Sequence, residues 1–216
     1  MKNDYTHIAM VIDRSGSMSS CWNDVQGGYS ELVKVNKEAE GECTFTLAVF
    51  DDTYTILEDF TPIKDVKEKL NTFPRGGTAL LDAIGKTIKS VGAKLADLKE
   101  SERPEKVIML VNTDGQENSS IEYTKSTIQK MIKEQSDVYK WVFQFIGASL
   151  ESVNEAKSWG FSAGNTSTYS TDNSTLTFGL VGEKMKNMRS AQSHESYLAA
   201  AVFTAEDRSV LNEGKI

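Results

Sequence analysis

The stretch Thr6-His7-Ile8-Ala9-Met10-Val11-Ile12-Asp13-Arg14-Ser15-Gly16-Ser17-Met18 passes from a near-continuous apolar run into a carboxylate and a cluster of hydroxyls. An apolar run without polar alternation marks a strand covered on both faces, as in a parallel sheet enclosed by helices. Beyond it, Val25, Tyr29, Leu32, Val33 and Asn36 recur at spacings of three and four, which predicts a helix. Cys43 to Phe50 reads as a second strand and Asp51-Asp52 as a solvated turn. Tyr54 to Phe60 alternates as the hairpin partner. Leu80, Leu81, Ile84, Ile88, Val91, Leu95 and Leu98 trace one face of a long helix.

The same alternation continues to the end of the chain. Lys106 to Val111 predicts a buried strand. Ile121, Ile128, Met131 and Ile132 mark a helix, and Trp141 to Gly147 marks a strand. A short helix over about 150–158 and a weaker strand near 166–170 follow. Leu176, Leu180, Val181, Met185 and Met188 then give a last, core-facing helical stripe. Strands alternating with helices imply right-handed crossovers. The predicted fold is α/β: a doubly wound, Rossmann-like sheet, mostly parallel with one antiparallel edge strand and helices on both faces. Residues 1–192 are expected to form the domain and 193–216 a tail. In that tail Tyr197 to Phe203 docks as a helix and Thr204 to Ile216 frays.

Composition narrows the function classes. The 216 residues carry 24 Lys plus Arg against 31 Asp plus Glu, a formal net charge of −7. A negative field of this kind repels phosphate backbones and anionic lipid, so neither nucleic acid nor membrane is an expected partner. No run approaches the roughly 20 apolar residues of a membrane-spanning helix. The first apolar run, Ile8 to Ile12, is too short for a signal-peptide core. Two cysteines, Cys21 and Cys43, cannot build a disulfide framework. A soluble cytoplasmic protein is the expectation.

Ligands of open α/β sheets collect at the carboxyl ends of the strands, so the residues just after each strand matter most. Asp13-Arg14-Ser15-Gly16-Ser17 follows the first strand, and Asn112-Thr113-Asp114-Gly115-Gln116-Glu117 follows the fourth. Arg75-Gly76-Gly77-Thr78 stands immediately before the long helix. Together these loops offer the carboxylates of Asp13 and Asp114 and the hydroxyls of Ser15, Ser17 and Thr78. Hard oxygens suit Mg²⁺, Mn²⁺ or Ca²⁺, whereas zinc and copper favour imidazole and thiolate. The two histidines, His7 and His194, show no ligand-pair spacing. Two aspartates only neutralise a divalent ion, so an ion here stays electrophilic and open to a carboxylate from another molecule.

The pattern Asp13-x-Ser15-x-Ser17, then Thr78 after Gly76-Gly77, then Asp114 in Thr113-Asp114-Gly115 resembles the von Willebrand factor type A domain and its metal-ion-dependent adhesion site. The resemblance spans roughly residues 4–190, and the wording DRSGSM is similar to small cytosolic bacterial and phage members. It implies that Ser15 and Ser17 bind the metal directly. Thr78 does so in the ligand-competent arrangement, and Asp13 and Asp114 act mainly through waters. Mg²⁺ is the expected ion, with Mn²⁺ or Ca²⁺ as substitutes. A protein partner offering an Asp or Glu is the expected ligand.

Beside this core, Arg14, Trp22 and Glu117 are candidate partner contacts, each with a plainer role in packing or at the surface. The serines also read as helix N-caps, and Gly76-Gly77 as a flexible turn. Three function classes follow. The first is a metal-dependent binding module that is not an enzyme. The second is a metal-assisted phosphoester hydrolase. It is disfavoured by Ser15 where a phosphoaspartate-type hydrolase carries a second Asp, and by the lack of a Walker-type loop. The third is an assembly component with a vestigial metal site, binding through the tail.

Overall fold

The apolar run forms β1 (Lys2–Asp13), which lies inside a six-stranded sheet. The computed structural model of the chain describes residues 1–170 and 174–211. Parallel neighbours flank β1 on both sides: β2 (Glu42–Phe50) and β4 (Pro104–Thr113). β5 (Val142–Gly147) and the short β6 (Thr166–Thr168) extend the parallel sheet beyond β4. β3 (Tyr54–Pro62) closes the opposite edge, antiparallel to β2. The order β3-β2-β1-β4-β5-β6 reverses direction between β1 and β4, which opens a crevice at their carboxyl ends.

Alternate residues of β1 feed two cores. Ile8, Met10 and Ile12 pack against α1 (Trp22–Glu38) and α5 (Ser174–Ser190) through Val25, Leu32, Phe178 and Met185. Ala9 and Val11 face α2 (Leu80–Asp97), α3 (Lys125–Asp137) and α4 (Leu150–Ser158) through Ile84, Ile128 and Val153. Burial on both faces is the physical reason the run carries no polar alternation. Among the described residues, no helix is long and apolar enough to cross a membrane.

Some elements differ from their sequence periodicity. Ile121 is not in a helix: α3 starts at Lys125, capped by Thr124 accepting from the Thr127 N–H, and Ile121 is 91% exposed in the preceding loop. Its spacing from Ile128 matched two helical turns by coincidence. Leu176 lies on α5 but is 54% exposed, so the core stripe begins at Phe178. The segment after Ser193 is more ordered than its polarity suggests. α6 (His194–Ala201) docks with Tyr197 buried, its hydroxyl donating to the Val107 carbonyl at 2.8 Å. α7 (Ala205–Val210) is held at its start by a capping box between Thr204 and Asp207, where fraying was expected. Residues 212–216, the rest of that stretch, lie outside the described residues.

Burial of His7 gives the fold a measurable pH response. Its Nδ1 lies 2.9 Å from Thr44 Oγ1, its ring stacks on Phe60 at 3.9 Å, and Lys94 is the cation that acts on it. Burial first, and the Lys94 charge second, hold the imidazole pKa down to about 3. Below pH 6.5 the unfolded chain binds a proton that the folded chain refuses, so stability falls as pH falls through this window. At pH 5 the loss is about 2 kcal/mol. Urea unfolding of wild type and His7→Asn at pH 7.5 and pH 5 checks this. The variant is expected to start less stable but to lose about 2 kcal/mol less on acidification, and parallel losses would disprove the assignment.

Candidate metal centre

β1 and β4 run side by side with Ile12 opposite Asn112, so Asp13 and Thr113 end adjacent strands at the crevice. Asp13 accepts hydrogen bonds from the Ser15 N–H (2.6 Å) and the Thr113 hydroxyl (2.5 Å). The first is an Asx-type turn, and it bends the chain into a 3₁₀ turn over Gly16–Ser20. That bend places the Ser15 and Ser17 hydroxyls 3.0 Å apart, and Ser17 Oγ donates to Asp114 Oδ1 at 2.8 Å. Thr78 enters from the loop before α2, fixed to Asn118: its N–H donates to Asn118 Oδ1 (2.9 Å) and its carbonyl accepts from the Asn118 N–H (3.1 Å). A Cβ on Gly115 would stand 3.4 Å from Thr78 Oγ1 and 3.6 Å from Ser17 Oγ. All five oxygen-bearing residues singled out from the sequence therefore share one small volume.

The Gly76-Gly77 pair is set by close packing rather than by flexibility. Gly76 has φ +67°, and a Cβ on it would collide with the Asp52 carboxylate. A Cβ on Gly77 would collide with Ser119 Oγ. The Gly76 carbonyl accepts from the Gly16 N–H (3.1 Å), and the Arg75 N–H donates to the Arg14 carbonyl (2.8 Å). These bonds lock the Thr78 loop onto the Asp13–Ser17 loop.

The electrostatics fit a cation. Asp13 is fully buried, and burial pushes its carboxyl up to about 6 against the opposing bonds from Thr113 and Ser15. Burial likewise raises Asp114, against its bond from Ser17. Among the described residues neither carboxylate has an ion-pair partner. A divalent ion would supply the missing positive charge and favour both ionised forms. No group of three or more His, Cys, Asp or Glu placed to hold a metal ion occurs among the described residues, and the five residues gathered here offer two carboxylates and three hydroxyls, all oxygen. That chemistry suits a hard divalent ion and leaves it electrophilic.

Three residues considered as partner contacts turn inward instead. Arg14 is buried, with Nε 3.0 Å from Asp51 Oδ2 and Nη1 donating to Thr72 Oγ1 at 2.8 Å. Its guanidinium faces the β2–β3 turn, because a buried charge must be paired. Asp51 is accordingly buried, not solvated, and also accepts from Arg75 Nε at 2.8 Å. Trp22 is buried, with Nε1 donating to the Thr72 carbonyl at 3.2 Å. Glu117 accepts from the N–H groups of Leu81 (2.8 Å), Ser119 (3.0 Å) and Ser120 (2.8 Å), so it caps the start of α2. Asp82, overlooked in the helical pattern, accepts from the N–H groups of Ile121, Glu122 and Tyr123. A carboxylate in a helix's first turn was the available signal. Thr113 and Asn118 were legible only as neighbours of Asp114.

Comparison with known proteins agrees with this fold. The profile of the von Willebrand factor type A domain matches residues 7–177. Proximal thread matrix protein 1 (PTMP1) from the mussel byssus, with a zinc-occupied MIDAS motif, is 20% identical with a TM-score of 0.59, covering 86% of this chain and 47% of its own. The pilus adhesin SpaC from Lactobacillus rhamnosus GG is 14% identical with a TM-score of 0.66, covering 87% and 31%. A von Willebrand factor type A protein from Catenulispora acidiphila is 13% identical with a TM-score of 0.59, covering 86% and 43%. The chain thus spans less than half the length of each of these structures. No curated protein matches the sequence.

Proposed function

Because this chain belongs to the von Willebrand factor type A domain family, we propose that it is a metal-dependent docking module. Asp13, Ser15, Ser17, Thr78 and Asp114 would hold a divalent cation, which would supply a docking point for an Asp or Glu side chain of a protein partner. One observation carries the reading: two carboxylates with no ion-pair partner among the described residues converge with three hydroxyls where the strand order reverses. The ion supplies an electrophile for an incoming carboxylate. The chain's own residues would hold it with two carboxylates that just neutralise its charge and three weak, neutral hydroxyls, and they expose Ser17 at the rim. Mg²⁺ is the preferred ion, with Mn²⁺ or Ca²⁺ as substitutes. A neighbour of this fold with a zinc-occupied MIDAS motif and another that is an adhesin support metal-mediated adhesion over catalysis. Two free, buried cysteines fit a reducing, cytoplasmic setting.

Isothermal titration of chelator-treated protein with Mg²⁺, Mn²⁺ and Ca²⁺ tests this directly. Asp13→Asn keeps an acceptor for the Ser15 N–H, turns an amide donor toward the Thr113 hydroxyl, which can accept it and donate to the Gly115 carbonyl instead, and removes the charge. It is expected to weaken metal binding by about 100-fold while leaving the fold intact by circular dichroism. Equal affinity in the two proteins would remove the basis of the proposal.

A further inference from the structure

Thr78 is the oxygen donor that its own local sequence leaves least determined. Asp13, Ser15 and Ser17 belong to one turn closed by its own hydrogen bonds, and Asp114 follows β4 directly. Thr78 instead follows Gly76-Gly77 and precedes Ala79, the N-cap of α2, which supplies no capping side chain. What holds it comes from the loop after β4, 40 positions along the chain. Asn118 Oδ1 accepts the Thr78 N–H at 2.9 Å, while the Asn118 and Ser119 N–H groups donate to the Thr78 carbonyl at 3.1 and 3.3 Å. The Ser119 hydroxyl donates to Asn118 Oδ1 at 2.6 Å and steadies that amide. The same loop caps α2, since Glu117 accepts the Leu81 N–H and Ser120 Oγ the Asp82 N–H. With its N–H and carbonyl both clamped, Thr78 aims its hydroxyl through one stiff, β-branched torsion. That hydroxyl lies beside the residue after Asp114, 3.4 Å from where a Cβ on Gly115 would stand.

We infer that Asn118 is a positioning residue that fixes Thr78 relative to Asp114 and so sets how strongly the site prefers Mg²⁺ over Ca²⁺. The inference rests on the metal-dependent docking reading above. Mg²⁺ demands near-ideal octahedral geometry at about 2.0–2.1 Å, whereas Ca²⁺ accepts flexible arrangements of oxygens at about 2.3–2.6 Å. A loosened Thr78 therefore costs the smaller ion more than the larger one. Asn118 is uncharged, so Asn118→Ala changes geometry and leaves the charge of the site as it was. Its side chain is exposed, so truncation opens no buried void, and the backbone bonds to the Thr78 carbonyl remain.

The test is isothermal titration of the chelator-treated full chain with Mg²⁺ and with Ca²⁺, for wild type, Asn118→Ala and Asn118→Asp, with urea unfolding of each. Asn118→Ala is expected to lose about 10-fold in Mg²⁺ affinity and distinctly less in Ca²⁺ affinity, narrowing the ratio by about 3-fold or more. Asn118→Asp retains an acceptor for the Thr78 N–H. Its added charge favours both divalent ions alike, so the ratio is expected to stay at the wild-type value while both affinities rise. Equal losses for the two ions in Asn118→Ala, unchanged Mg²⁺ affinity, or the same narrowing in Asn118→Asp would overturn the inference and leave the metal site standing. Wild-type protein that binds neither ion would overturn the docking reading, and this inference with it.

Discussion

Asp51→Ala is expected to destabilise the protein by about 3–5 kcal/mol, because it strands the buried Arg14 guanidinium. The Asp51 carboxylate forms an ion pair with Arg14, Oδ2 to Nε 3.0 Å, and accepts hydrogen bonds from the Arg75 Nε at 2.8 Å and the Thr53 N–H and hydroxyl at 2.7 Å each. Its backbone also participates, since the Ala79 N–H donates to the Asp51 carbonyl at 3.1 Å. One residue therefore ties the β2–β3 turn to both the Asp13 loop and the Thr78 loop. Loss of that tie should lower metal affinity as well as stability, although Asp51 is not among the five proposed ligands. Urea unfolding and metal titration on the same preparation measure the two effects. The double variant Arg14→Met/Asp51→Leu removes both charges and is expected to recover much of the stability. A cost below about 1 kcal/mol for Asp51→Ala would place the pair in the class of solvated surface bridges and refute the argument.

The second large effect lies at the opposite end of the sheet and separates stability from binding. Arg189, buried near the end of α5, donates to the carbonyls of Asn36 (2.6 Å), Ala39 (3.3 Å), Glu40 (3.0 Å) and Gly41 (3.0 Å). These are the orphan acceptors at and just beyond the carboxyl end of α1, where a cation also complements the helix dipole. Lys106 does the same for α5, donating to the Arg189 and Ala191 carbonyls at 2.8 and 2.7 Å. Arg189→Ala is expected to cost about 3 kcal/mol through lost charge-assisted bonds and a buried void. Arg189→Lys should recover only part of it, because one ammonium cannot span four carbonyls. Metal affinity of either variant should equal that of wild type, since the clamp touches none of the proposed ligands. A parallel loss of metal binding would show that the two ends of the α1–α5 layer are coupled.

Much of this architecture was legible in the amino-acid order. The unbroken apolar run of β1 reflects a strand buried on both faces, and the alternation of strands with helices left little choice of topology. The five oxygen-bearing residues stood out because each follows a strand or precedes a helix, and those positions converge whenever the sheet is parallel. The inward course of Arg14, Trp22 and Glu117 was not legible, because a one-dimensional pattern places a residue near a loop without giving its direction. Arg14 was drawn inward by Asp51 and Thr72, partners 37 and 58 positions away, and Glu117 by the free N–H groups that begin α2. Ile121 shows the converse error. Its spacing suited a helix, but the Asp82 carboxylate claimed its N–H for a loop and left the side chain in water. Local order determined the sheet, most of its helices and the identity of the proposed oxygen donors. Tertiary structure alone decided which charges are buried and which apolar side chains remain exposed, because both depend on partners brought together only by the fold.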